Sequence, residues 1–147
     1  TKNGNIYKVP LYLMRLVGRD GTGTIQYYDY QVVRFGVGHN GEGPDYICGK
    51  SASGVHTLTW LPGYMRGTGA WKLSGYKQVL IQDGADAPLK QAYGAVGCIE
   101  VTGFRKWEEF NQRVADLSGN TDLHEIGVQE MFKCELLHAA PPRLRRA

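Results

Sequence analysis

Twenty glycines fall through a chain of 147 residues that also holds nine tyrosines and many β-branched side chains. Glycine interrupts regular structure while tyrosine and β-branched residues favour strands, so the combination predicts short strands divided by tight turns. Over 6–17 the apolar side chains of Tyr7, Val9, Leu11 and Leu13 alternate, and Gly18-Arg19-Asp20-Gly21 follows as a turn. A strand over 24–37 completes a hairpin. Residues 36–54 hold six glycines and Pro44 and read as a long loop in which His39 is solvated. Shorter strands are expected over 55–60, 70–73, 78–82 and 97–101.

One helix stands against this background. In 104–117, Trp107, Phe110, Val114 and Leu117 recur at intervals of three, four and three, which places them on one face. Thr102 is a plausible N-cap and Gly119 a plausible stop. Residues 121–126 fit a short helical turn. A final strand over 128–137 turns Val128, Phe132, Cys134 and Leu136 inward, which makes Cys134 a core residue. The fold class that follows is mainly β, a sandwich or barrel-like sheet with one amphipathic helix packed on it, in a single domain over 1–147.

Composition narrows the function classes. Hydrophobic residues at 42% and charged residues at 21% are ordinary for a globular protein. No apolar run approaches the ~18 residues of a membrane helix, so no membrane insertion is expected. The net charge of +3 is scattered except for Arg143, Arg145 and Arg146 after Pro141-Pro142, a tail that reads as a frayed terminus or linker. A nucleic-acid surface would want a basic stripe interleaved with aromatics, and nucleic acid is not an expected partner. Cys48, Cys98 and Cys134 show neither C-x-x-C nor histidine ligand spacing, so neither a metal nor another cofactor is expected.

The chemistry points to Cys98, in Ala95-Val96-Gly97-Cys98-Ile99-Glu100-Val101. A thiol after a glycine at the mouth of a strand can expose its sulfur while the backbone N–H groups of Gly97 and Cys98 face the group under attack. Buried cysteine as a small hydrophobe is the plainer alternative. Upstream, Gln78-Val79-Leu80-Ile81-Gln82 ends in Asp83-Gly84-Ala85-Asp86. Together these segments resemble the L,D-transpeptidases with a YkuD-type catalytic domain. That family's signature is a strand ending in His-Gly or His-Asp-Gly, a loop, and then Ser/Thr-His-Gly-Cys with an apolar residue. Leu80-Ile81 and Asp83-Gly84 match its beginning, and Gly97, Cys98 and Ile99 its end. Ser51-Ala52-Ser53-Gly54-Val55-His56-Thr57-Leu58 is similar to the family's Thr-Pro-x-Gly-x-aromatic strand, so the likeness runs from roughly 32 to 117.

The departures are informative. Gln82 stands where the family has its base histidine, Val96 and Ala95 replace the His and Ser of Ser-His-Gly-Cys, and Glu100 occupies the usual arginine position. Such divergence resembles the YkuD-like domains of interbacterial toxins and type VI secretion effectors. A chain opening at Thr1 without a basic and apolar leader agrees with a domain cut from a longer delivery protein. The resemblance implies secretion by a bacterium, action in the periplasm and cell wall of a target cell, peptidoglycan stem peptides as partner, and an immunity protein. It implies attack by the Cys98 thiolate on the bond between diaminopimelate and the terminal D-alanine. The thioester would then pass to an amine as a 3–3 cross-link, to a D-amino acid by exchange, or to water as a carboxypeptidase product.

Histidine suits such a step because a pKa near ~6.5 lets it take and return a proton, which an amide cannot. Three readings of Gln82 stand: an engineered replacement of histidine, a natural glutamine with the base supplied elsewhere, or a degenerate binder. The intact Asp83-Gly84 and Gly97-Cys98 favour the first. His56 is the alternative base to consider, although its alternation with Leu58 and Trp60 fits a packed strand histidine. Asp83, Gly84, Tyr93, Val96 and Glu100 are expected to line the substrate groove, and acidic residues beside glycine also simply make turns. Two rivals remain: a catalytically silent module that docks on cell wall or a partner, and a cysteine amidase cutting another stem bond.

Overall fold

Alternation of buried and exposed side chains carries the described residues through twelve strands and two helices, 45% strand and 17% helix. A computed structural model describes residues 5, 7–38, 42–49, 53–64, 67–76, 79–84 and 99–146. The strands are β1 Tyr7–Lys8, β2 Leu11–Arg19, β3 Ile25–Val33, β4 Phe35–Gly38, β5 Tyr46–Gly49, β6 Gly54–His56, β7 Leu58–Leu61, β8 Ala70–Leu73, β9 Leu80–Asp83, β10 Ile99–Val101, β11 Phe132–Leu136 and β12 Arg145–Arg146. Helix α1 is Lys106–Ser118 and α2 is Leu123–Val128.

Eight strands form one sheet in the order β6-β11-β2-β3-β10-β9-β8-β7. Its two edge strands, β6 and β7, are consecutive in the chain with Thr57 alone between them. The sheet therefore curls until its edges nearly meet, a barrel-like form that agrees with the mainly β expectation. Neighbours run antiparallel except β9 and β10, which are parallel with Ile99 opposite Ile81, Glu100 opposite Gln82 and Val101 opposite Asp83.

The hairpin differs from the expected one at its turn. β2 continues through Gly18 and Arg19, and the reversal is built on Asp20. The Asp20 carboxylate accepts from the Thr22 and Thr24 N–H groups at 2.9 and 3.1 Å, from the Thr22 hydroxyl and from the Gln26 amide. Those bonds hold its carboxyl low, at about 2. The strand expected over 24–37 breaks at Arg34, after which β4 leaves the main sheet and pairs with β5. That ladder replaces much of the loop expected over 36–54. Glycine at Gly38 serves packing there, because a Cβ would fall 2.4 Å from the Tyr46 ring.

The basic tail is likewise paired, since Arg145 and Arg146 of β12 lie opposite Lys8 and Tyr7 of β1. The strand expected over 55–60 is two strands, and the final strand starts at Phe132 because residues 123–128 are helical. Val128 accordingly points outward, 62% exposed. Helix α2 stands where a short helical turn was expected over 121–126 and runs two residues further.

Met14, Leu16, Tyr30, Val32, Ile81, Ile99, Val101, Phe132, Cys134 and Leu136 turn to one side of the sheet, where α1 covers them with Trp107, Phe110, Val114 and Leu117. Phe110 stacks on Trp107 at 5.8 Å and meets Tyr30 edge-on at 5.2 Å. Burying each such ring contributes about 1.5 to 3 kcal/mol. The indole N–H of Trp71 donates to Asn111 Oδ1 at 2.8 Å and that of Trp107 to the Thr68 carbonyl, so neither burial orphans a donor. Thr102 does not cap α1. Its hydroxyl donates to the Gln31 carbonyl at 2.9 Å, and Arg105, at φ 58°, holds the N-cap position. Gly119 ends the helix at φ 64°, as expected. Asp122 caps α2, and Gly127 lets it approach β7 closely, a Cβ there meeting the Leu58 carbonyl oxygen at 3.0 Å.

Candidate functional site

Strand alternation places Gln82 and Glu100 on the face of the sheet opposite the core. One cross-strand row runs Leu11, Val33, Glu100, Gln82, Ala70, Leu61 across six strands. An outward row of a small sheet would ordinarily be wet, but this one is dry at its centre. Val33 is 6% exposed, Gln82 5% and Ala70 fully buried, with Glu100 half-buried between Val33 and Gln82.

The polar groups in this row respond to that burial. Removal from water pushes the Glu100 carboxyl above its ordinary value, the neighbouring Gln82 side chain opposes the shift, and the charge of Asp83 adds to it. Oε1 of Gln82 is fully buried with no hydrogen-bond partner among the described residues. A buried amide oxygen left so is destabilising by about 1 to 3 kcal/mol. Gly84 follows at the strand's end, where its N–H donates to the Val101 carbonyl at 2.9 Å. A Cβ on Gly84 would lie 2.8 Å from both the Glu100 Cβ and the Val101 oxygen, so only glycine fits beside Glu100. Asp83 is exposed.

Of the residues singled out in the sequence, Gln82, Glu100 and Gly84 come together here. Cys98, Gly97, Val96 and Tyr93 lie outside the described residues, as does His39. His56 is buried on β6, where its Nδ1 faces the Ser74 carbonyl at 3.1 Å and its Nε2 the Ser53 carbonyl at 2.6 Å. Both ring nitrogens are thus engaged by backbone oxygens, and the ring meets Tyr76 edge-on at 5.3 Å. In that arrangement His56 ties β6 to the turn after β8, across the seam of the sheet. Cys134 is fully buried in the core, where burial pushes its thiol up, and Cys48 is half-buried.

One polar residue of this end of the barrel escaped the sequence reading. Arg34, 2% exposed, donates from Nη1 to the Leu137 carbonyl at 2.6 Å and lies 5.5 Å from the Tyr12 ring centre. It borders a cavity of about 310 Å³ shared with Tyr12, Leu137 and His138. An uninterrupted strand over 24–37 gave no reason to single it out. Among the described residues no group of three or more His, Cys, Asp or Glu could hold a metal ion, and no helix is long and apolar enough to cross a membrane. Comparison with protein-family models, curated proteins and solved structures finds no match to this chain.

Proposed function

We propose that this chain is a YkuD-like cysteine acyltransferase of the L,D-transpeptidase kind, acting on the diaminopimelate–D-alanine bond of peptidoglycan stems with Cys98 as nucleophile. The observation that supports it most is the parallel pairing of β9 with β10. It sets the strand that ends in Gln82-Asp83-Gly84 directly beside the strand that begins one residue after Gly97-Cys98, so the two halves of the resembled signature are neighbours although the chain separates them. A hairpin would have run them antiparallel, and parallel neighbours need a crossover. The Cys98 sulfur would attack the amide carbonyl, with N–H groups of the backbone at Gly97 and Cys98 receiving the developing oxyanion. D-alanine leaves and a thioester remains, for an amine or water to resolve. A bacterial effector that works in the periplasm and cell wall of a target cell, opposed by an immunity protein, is the setting that fits this chemistry.

Mass spectrometry of muropeptides after incubation with the chain tests the reading. Loss of the terminal D-alanine alone, or a 3–3 dimer, is expected, and Cys98→Ala should abolish both. A cut elsewhere in the stem would favour the amidase. Unchanged muropeptides, with no alkylation of Cys98 by iodoacetamide, would leave only the silent docking module.

A further inference from the structure

Away from the Gln82 row, the two ends of the eight-stranded sheet meet at one histidine. His56 closes β6 and is 8% exposed, with Nε2 2.6 Å from the Ser53 carbonyl oxygen and Nδ1 3.1 Å from that of Ser74. A backbone carbonyl only accepts hydrogen bonds, and a neutral imidazole has one N–H to give. Its second nitrogen would then turn a lone pair toward a carbonyl oxygen, a repulsive contact inside a buried seam. The imidazolium alone donates from both nitrogens. We propose that His56 is a proton-sensitive latch: its imidazolium clamps the seam between β6 and the turn after β8, and loss of one ring hydrogen loosens it.

The chain around the ring is built as a clasp with two hinges. Ser74 is held at three atoms. Its N–H donates to the Thr57 carbonyl at 2.9 Å, its hydroxyl oxygen accepts from the Thr57 N–H at 3.2 Å, and its carbonyl faces the ring. Each carbonyl that faces the ring belongs to a serine followed by a glycine in the left-handed region, Gly54 at φ 89° and Gly75 at φ 80°. Those backbone angles set the tilt of the preceding peptide planes, and a Cβ on either glycine would meet nothing within 4 Å, so the planes have room to turn. The turn also borders a cavity of about 330 Å³, with Gly75, Tyr76, Thr59 and Lys72 in its wall. A released turn has that space to move into.

The groups facing the ring leave its charge to the two carbonyls. From β11 the opposing residue is Cys134, whose thiol is pushed up by burial, and from the turn Tyr76 meets the ring edge-on at 5.3 Å. Glu135 of β11 stands opposite Val55, which is 55% exposed, and not opposite His56. The cations on the Tyr76 side are Arg34, on which the Tyr76 phenol acts, and Lys72 in the cavity wall. Neither ring nitrogen has a carboxylate partner among the described residues. A ring that donates twice has no lone pair with which to take a proton, so His56 in this state serves as a clamp and not as a base. In mild acid both carbonyls are satisfied. As pH rises through the range in which imidazoles lose their charge, roughly 5 to 8, one carbonyl loses its donor and the stabilisation goes with it.

Nitrogen-15 NMR of the ring and amide hydrogen exchange on the whole chain test the latch. At about pH 5.5 both ring nitrogens of His56 should carry hydrogen, and the amides of Thr57 and Ser74 should be strongly protected. By about pH 8 one nitrogen should have lost its hydrogen, and the protection factors of those two amides, which already allow for the intrinsic pH dependence of exchange, should fall about tenfold or more. Amides of α1 such as that of Val114 should show no such step. His56→Gln keeps a donor but cannot change charge, so it should hold Thr57 and Ser74 at a lower protection that no longer varies with pH. The latch is refuted if the number of ring hydrogens on His56 is the same at both ends of that range, or if the two amides keep one protection factor while the ring loses its hydrogen. A pH step that survives in His56→Gln would overturn it as well, by placing the titrating group elsewhere. Should His56→Gln not fold, the wild-type ring spectra and protection profile decide alone.

Discussion

Gln82→Met should stabilise the protein, which is unusual for a buried polar residue inside a sheet. Methionine keeps the length and the unbranched shape of glutamine and carries no strong hydrogen-bonding atom. Its entry removes the buried Oε1 that has no partner among the described residues, a gain of about 1 to 3 kcal/mol. It also removes a side chain that favours the charged form of Glu100. Half-buried Glu100 can take water in its place, so a loss of about 1 kcal/mol is reasonable. The balance is about +1 kcal/mol, or a rise in Tm of about 2 to 4 °C for a domain of this size. Urea unfolding of wild type and variant should show a higher midpoint with an unchanged slope. Ile81→Ala, one residue back and facing the core, serves as the contrast and should cost about 2 to 5 kcal/mol. A Gln82→Met variant that lost more than about 1 kcal/mol would refute the reasoning, because the amide would then be a net structural support. The gain would instead mark glutamine as retained at the expense of stability, the common pattern at working sites.

Two further outcomes test the frame. Asp20 is held at about 2 against an ordinary 3.8, so it stabilises the folded chain above its ordinary value and that contribution disappears as pH falls toward 2. Asp20→Asn should therefore flatten the urea midpoint between about pH 4 and pH 2, and an unaltered acid dependence would count against the turn as described. Gly127→Ala should destabilise by about 1 to 2 kcal/mol despite the better helix propensity of alanine, because the methyl meets the Leu58 carbonyl oxygen at 3.0 Å and Trp71 at 3.3 Å. Thermal melts would show it, and a neutral result would mean that α2 shifts off β7 freely.

Local alternation was enough to locate strands at Ala70–Leu73 and around Ile81 and Val101, and the spacing of Trp107, Phe110, Val114 and Leu117 was enough to give the buried face of α1. Those patterns depend on one side of one element. Where a residue's role is set by a distant neighbour the sequence was opaque. Gly38 looked like a loop residue because the ring that fills the space beside it belongs to Tyr46 on the opposing strand, and Gly49 because its close neighbours are Arg34 and Phe35 across the ladder. Thr102 carried a good cap residue's hydroxyl, yet its partner is Gln31, far back in the chain. Gln82 and Glu100 were both visible as departures from a familiar pattern, whereas their adjacency depends on parallel register, which neither strand encodes alone.

β10 is only three residues long, and it lies between two pieces of sheet that the chain builds from near neighbours, the β2–β3 hairpin and the β7–β8–β9 meander. It is therefore the keystone on that side, and the remaining closure runs through β11, β6 and the single residue Thr57. Its partner Val33 is distant along the chain, so this junction is expected to form late in folding, after the local pieces have spent their loop entropy. A strand that closes last is also the one whose amides should exchange through the smallest opening of the barrel. Anything that grips the segment around Glu100 would thus act on the least redundant joint of the sheet, and occupancy there should be felt as slowed exchange in β3 and β9 together.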